Sequence, residues 1–173
     1  MEIDFHEPGL EQYPKSSAVI ANLVMAALIA LGTIACWFFT PVAAWIYLAI
    51  GVLMVWVVMR RLVCVNCYYY GKWCATGWGK LAAVLFKQGS IDKFSTSIGV
   101  KIAPIVYGLL SVIPIILLIV AMIGLVSAPR IVVLVLLIGI TAYSAVINRK
   151  KTCSKCKMRL ICPGCAVKTT NPR

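Results

Sequence analysis

Four apolar runs dominate the chain, joined in turn by a short gap, a long polar and aromatic stretch, and another short gap. They lie at Ser17–Phe39, Val42–Leu62, Ile102–Val126 and Ile131–Asn148. A helix needs about 20 apolar residues to cross a hydrocarbon core, and only the last run falls short. The pattern predicts an all-α integral membrane protein with four transmembrane helices. It divides the chain into an N-terminal segment (1–16), a hairpin (17–62), a cysteine- and aromatic-rich loop (63–101), a second hairpin (102–148) and a basic, cysteine-rich tail (149–173).

Within the loop, "KLAAVLFKQG" changes the period. At helical spacing Leu81, Ala82, Leu85 and Phe86 share one face, while Lys80, Lys87 and Gln88 share the other. That predicts a short amphipathic helix over Lys80–Gln88, lying in the membrane interface or docking a partner, with Gly89 as its stop. Composition agrees with the runs. Of 173 residues, 62% are hydrophobic and 13% charged, more apolar surface than a soluble domain of this size can hide. The opening "MEIDFHEPGLEQYPKSS" is acidic where a secretory signal is basic, so the first run is expected to remain as a membrane helix, capped by Ser16 or Ser17.

Charge sets the orientation. Arg60, Arg61, Lys72, Lys80, Lys87, Lys93 and Lys101 lie in or beside the loop. Arg149, Lys150, Lys151, Lys155, Lys157, Arg159, Lys168 and Arg173 lie in the tail, and Lys15 precedes the first run. Only Arg130 falls between the last two runs, so sixteen of the seventeen basic residues share one side. Basic loops stay cytoplasmic, which puts both termini and the long loop inside and the protein in the cell (inner) membrane. The net charge of +12 then reflects topology and attraction to lipid headgroups. No nucleic-acid motif accompanies it, and no nucleic-acid partner is expected.

Seven of the eight cysteines fall on that same side, where thiols are kept reduced. Cys36, near the far end of the first run, reads as a small buried hydrophobe. Cys153, Cys156, Cys162 and Cys165 form C-x2-C-x5-C-x2-C, four thiolates within thirteen residues. Cys64, Cys67 and Cys74 form C-x2-C-x6-C, one sulfur short of a tetrahedral set. His6, a shared tail cysteine or water are the alternatives for that fourth place, although His6 sits in a polar terminus that favours a solvent-exposed role. Because the second and fourth runs end on the same side, both motifs are expected to adjoin in one cap. A zinc site and an iron–sulfur cluster of the 4Fe–4S type both suit such ligands. Pro163 after Cys162 and the surrounding Lys155, Lys157 and Arg159 fit an anionic cluster.

Tyr68, Tyr69, Tyr70, Trp73 and Trp78 follow Arg60 and Arg61, as interfacial anchors do. Tyr68 and Trp73 are the candidates for a shell that keeps water from a cofactor. Gly71, Gly77 and Gly79 allow tight turns there. The runs themselves hold no deep charge and no histidine, which counts against proton or ion transport and against haem ligation. Asn22, Ser111, Thr141 and Ser144 read as interhelical hydrogen-bonding groups. Gly32, Gly51, Gly108, Gly124 and Gly139 permit close helix contacts. Pro104 and Pro114 should kink the third helix, and a kink can open a cleft for a quinone or lipid.

In topology the chain resembles protein palmitoyltransferases, but their Asp-His-His-Cys stretch is absent and no histidine adjoins Cys64, Cys67 or Cys74. The function expected is an electron-transfer or non-catalytic subunit, rather than a stand-alone enzyme, in a larger membrane complex or homo-oligomer. The alternatives are an assembly protein with a zinc-stapled docking cap and a handler of soft metal ions.

Overall fold

A computed structural model describes residues 5–167. Helix α1 (Lys15–Trp37) turns through Phe38–Phe39 into α2 (Pro41–Leu53). A π-helical turn at Met54–Val58 carries α2 into α3 (Met59–Val63). The loop holds α4 (Trp78–Leu85). Then come α5 (Ile98–Gly124), α6 (Ala128–Ala142), a second π turn at Tyr143–Asn148 and α7 (Arg149–Ser154). Among the described residues there is no strand. Four continuous helices are long and apolar enough to cross a membrane: Lys15–Trp37, Pro41–Asn66, Ile98–Gly124 and Ala128–Ser154. The chain is therefore a multi-pass membrane protein in type.

The helix bounds correct several expectations. The fourth helix is 27 residues long, not short. Apolarity ends at Asn148, but no Gly or Pro occurs between Gly139 and Pro163, and Arg and Lys propagate a helix well. Ser16 and Ser17 lie inside the first turn of α1, whose cap position is Pro14 and carries no side-chain cap. Thr40 does cap α2: its Oγ1 accepts from the Ala43 amide at 3.1 Å, and Pro41 opens the helix where no amide is needed. The loop helix covers Trp78–Leu85 rather than Lys80–Gln88, because Phe86 turns to an extended conformation.

Helix α1 is the hub, packing against α2, α5 and α6. Ile29, Cys36, Ala44, Tyr47, Val55 and Leu110 form one apolar cluster; Leu28, Ala35, Leu118 and Leu137 form another. Cys36 is fully buried, as a small hydrophobe would be. Helix α6 buries only Leu137, and Val132, Val135, Leu136 and Ile138 stay exposed on it.

Helix α5 runs unbroken through both prolines, and one of them makes a tie. Pro114 has no amide to offer the Leu110 carbonyl one turn earlier. The Tyr47 hydroxyl of α2 donates to that carbonyl instead, at 2.7 Å. The Tyr47 ring lies against Gly32 of α1 so closely that a Cβ there would collide with it. Gly32 thus makes the close contact its type allows. Gly51 makes only ordinary contacts, and Gly108, Gly124 and Gly139 face nothing within 4 Å. The needed close approach lies elsewhere: a Cβ at Gly99 would sit 2.7 Å from the Leu62 carbonyl, where α5 passes the end of α3. Ser111 bonds within its own helix, to the Tyr107 carbonyl at 3.1 Å, and the Thr141 hydroxyl is buried without a partner. Neither forms the interhelical bond expected of it.

At the turn end of the bundle, Arg130 donates to the Ala121 carbonyl (2.7 Å) and to Leu125, closing the last carbonyls of α5. The N-terminal segment, the loop and the tail gather at the opposite end.

Tyr47→Phe should destabilise the protein in detergent by about 1–3 kcal/mol, the cost of a buried carbonyl without a donor. In a Pro114→Ala background the loss should shrink, since alanine at that position restores an amide for the Leu110 carbonyl. Denaturant unfolding followed by circular dichroism checks both.

Candidate functional site

The N-terminal segment, the loop and the tail are woven together at one end. The His6 amide donates to the Lys157 carbonyl (3.0 Å) and the Leu10 amide to Lys155 (2.9 Å), so the N-terminal segment runs beside the tail. Gly9 makes this possible: a Cβ there would lie 2.7 Å from the Lys157 nitrogen. The Tyr13 amide donates to Trp73 at 2.8 Å, and its hydroxyl donates to the Thr152 carbonyl at 2.9 Å. Tyr69 joins all three segments. Its hydroxyl donates to the Leu10 carbonyl (2.7 Å) and accepts from the Lys157 amide (3.1 Å). Glu11 completes the weave, pairing with Lys157 at 2.6 Å and Lys72 at 3.8 Å and accepting from the Tyr68 hydroxyl.

Cysteines from the two motifs pack in this weave. Tyr13, Tyr69, Ala75, Phe94, Val100 and Met158 form an apolar cluster, and Cys67, Cys74, Cys156 and Cys162 lie against it. Each C-x-x-C pair closes the same turn, with the amide of the second cysteine donating to the carbonyl of the first. The distances are 3.3 Å for Cys64–Cys67, 3.3 Å for Cys153–Cys156 and 3.1 Å for Cys162–Cys165. All eight cysteines are free thiols.

Burial pushes the Cys67 thiol well above its usual value, and the nearby Cys64, Cys156 and Cys74 add to the shift. Burial likewise raises Cys162, and Cys156 to about 11. These groups are neutral near pH 7, because a thiolate in apolar surroundings lacks a counter-charge. The Lys157 hydrogen bond, by contrast, holds the Glu11 carboxyl below its ordinary value.

The side chains do not form a ready-made ligand set. Among the described residues no three His, Cys, Asp or Glu groups are gathered as a metal site. Loop and tail meet through Cys67 and Cys156; Cys153 has Cys165 for a neighbour. Cys64 has Cys74 for a neighbour, and the Cys74 sulfur lies 3.3 Å from the Thr76 hydroxyl. His6 is half-buried and held to the tail through its backbone. Of the two aromatic candidates, Tyr68 packs on the apolar cluster beside the cysteines. Trp73 lines a cleft against α1 under Lys15, 5.9 Å from its ring. That cleft is not the one expected at the proline kinks; neither Pro104 nor Pro114 borders it.

Three cap residues escaped the sequence reading, Glu11, Tyr13 and Gly9, and Arg60, read only as a basic residue marking topology, is buried. Their roles depend on partners far along the chain, and only the polar setting of Gly9 hinted at a special position. The chain matches no protein family, no curated protein and no solved structure.

Tyr69→Phe removes both bonds of the shared hydroxyl at once. Amide hydrogen exchange at residues 6–13 and 155–162 should accelerate at least about fivefold, taking a net loss of about 1–3 kcal/mol. Exchange in α5 should not change.

Proposed function

We propose that this chain is a small membrane subunit that holds a cysteine-ligated metal centre at the cytoplasmic face and relays electrons within a larger membrane assembly. One observation carries the reading. Cysteine pairs about ninety residues apart in sequence are each folded into the same i to i+3 turn, and one cysteine of each pair (Cys67, Cys156 and Cys162) packs against one apolar cluster. A soft cation would supply the counter-charge these buried thiols lack; binding would deprotonate them and draw Cys153, Cys156, Cys162 and Cys165 together with the loop sulfurs. Tyr68, Phe94 and Met158 would limit water around such a centre. An iron–sulfur cluster is favoured over zinc because seven thiols beside a membrane suit a redox group. A quinone is the class of membrane acceptor such a relay would serve.

A second reading has its own support. The cap is already tied by Tyr13, Tyr69 and Glu11, and α4 leaves Leu81, Val84 and Leu85 exposed. In that reading zinc staples a cap that docks a partner through α4 at the membrane interface.

Metal analysis and the visible spectrum of the purified protein separate the two. Absorption near about 400 nm that bleaches with dithionite is expected for the cluster. A colourless protein with stoichiometric zinc turns the choice to the docking cap, and a metal-free protein ends both. Cys156→Ser should lower bound metal at least severalfold and expose the tail to protease. In intact cells, a membrane-impermeant thiol reagent should spare Cys64 and Cys165; labelling of either reverses the orientation.

A further inference from the structure

The loop packs against α1 and α3 so as to leave a cleft of about 530 Å³, whose Trp78 wall has Cys64 and Cys74 packed behind it. Its walls are Val19, Leu23 and Ala26 of α1, Trp56 of the π turn, and Trp73, Trp78 and Leu81 of the loop and α4. Arg60 also lines it. The volume lies within the roughly 300–1,000 Å³ typical of small-ligand sites.

Arg60 is the anomaly. It is 2% exposed, its Nε is buried with no hydrogen-bond partner, and neither ion pair among the described residues involves it. The Trp78 ring, 5.3 Å from the guanidinium carbon, offers a cation–π contact, and that contact replaces only part of the lost water. The ring is held in place: its indole nitrogen donates to Asn22 (3.1 Å), and the Asn22 amide donates to the Ala18 and Thr76 carbonyls, each at 2.7 Å. The polar atoms of Asn22 and Trp78 thus satisfy each other and leave the guanidinium as the unanswered group of this wall.

Depth identifies the missing partner. Arg60 follows Pro41 by nineteen residues of nearly continuous helix, roughly 28 Å at 1.5 Å per residue. That is close to the ~30 Å thickness of a hydrocarbon core. With the Pro41 end at one boundary, Arg60 lies at the other, where lipid phosphates begin. Val19, Leu23 and Ala26 continue the cleft along α1 toward the bilayer interior, the direction an acyl chain takes. Lys15 lies at the rim over Trp73, and no acidic side chain lines the cleft.

We propose that this cleft is a specific site for an anionic phospholipid, with the phosphate hydrogen-bonded to Arg60 and one acyl chain laid against α1. A guanidinium presents forked donors that match phosphate oxygens, and basic recesses between membrane helices recognise anionic headgroups in this way. The proposal rests on the chain crossing a bilayer.

The test uses the full-length protein in nanodiscs, with brominated phosphatidylglycerol or brominated phosphatidylcholine as a minor component of an otherwise unbrominated bilayer. Trp56, Trp73 and Trp78 are the reporters. At equal mole fraction the brominated anionic lipid should quench them in marked excess over the zwitterionic one, with an apparent preference of roughly tenfold from one charge-assisted contact. Arg60→Gln should abolish the excess, and Arg60→Lys should keep part of it. Leu23→Trp, which fills the groove and leaves Arg60 in place, should reduce lipid retained through gel filtration, read by native mass spectrometry. Equal quenching by both lipids, or an excess that survives Arg60→Gln, overturns the proposal. So does displacement by a short-chain quinone without competition from phosphatidylglycerol. Arg60→Gln that lowers bound metal while lipid preference stays unchanged also overturns it, because Arg60 then serves the thiol cluster.

Discussion

Four segments of this chain carry side chains that favour hydrocarbon on a backbone that does not, so each must close its amide bonds within itself as a helix. An even number of crossings then returns the N-terminal segment, the loop and the tail to one end. The cap is a consequence of that parity. The two turns at the opposite end are too short to hold chemistry, and Arg130 closes one of them.

The cap is assembled by a few precise bonds rather than by size. One phenolic oxygen, on Tyr69, serves the loop, the N-terminal segment and the tail, and Tyr13 repeats the device between its own segment and α7. Between them lies an apolar cluster that raises the neighbouring thiols and keeps them neutral. Burial that disfavours a lone thiolate favours one that shares its charge with a cation.

The two halves share more than a hairpin followed by cysteines. Each second helix contains a π turn, at Met54–Val58 and Tyr143–Asn148, then a short α-helical stretch with basic residues, then a C-x-x-C turn. A π turn shifts the register of the side chains beyond it. In the first half that shift precedes Arg60, which lines the cleft beside the loop; in the second it precedes Arg149, whose guanidinium donates to the Gly164 carbonyl of the tail at 2.6 Å. One pattern of local structure thus supplies one arginine to a cleft and another to the tail.

Hydrophobic run length alone determined the four helices, because the hydrocarbon layer tests apolarity over some twenty residues and little else. Cysteine spacing alone determined the three turns, since a C-x-x-C step is local. Helix ends were less legible: the fourth helix continues 6 residues past its apolar run because nothing in Arg149–Ser154 breaks it, a matter of propensity and not of burial. The close contacts of Gly9 and Gly99, the Tyr47 hydroxyl on a carbonyl freed by Pro114, and the unpaired burial of Arg60 were decided only by tertiary structure. Each depends on which atom of a distant segment arrives within about 3 Å, and no periodicity along the chain encodes that arrival.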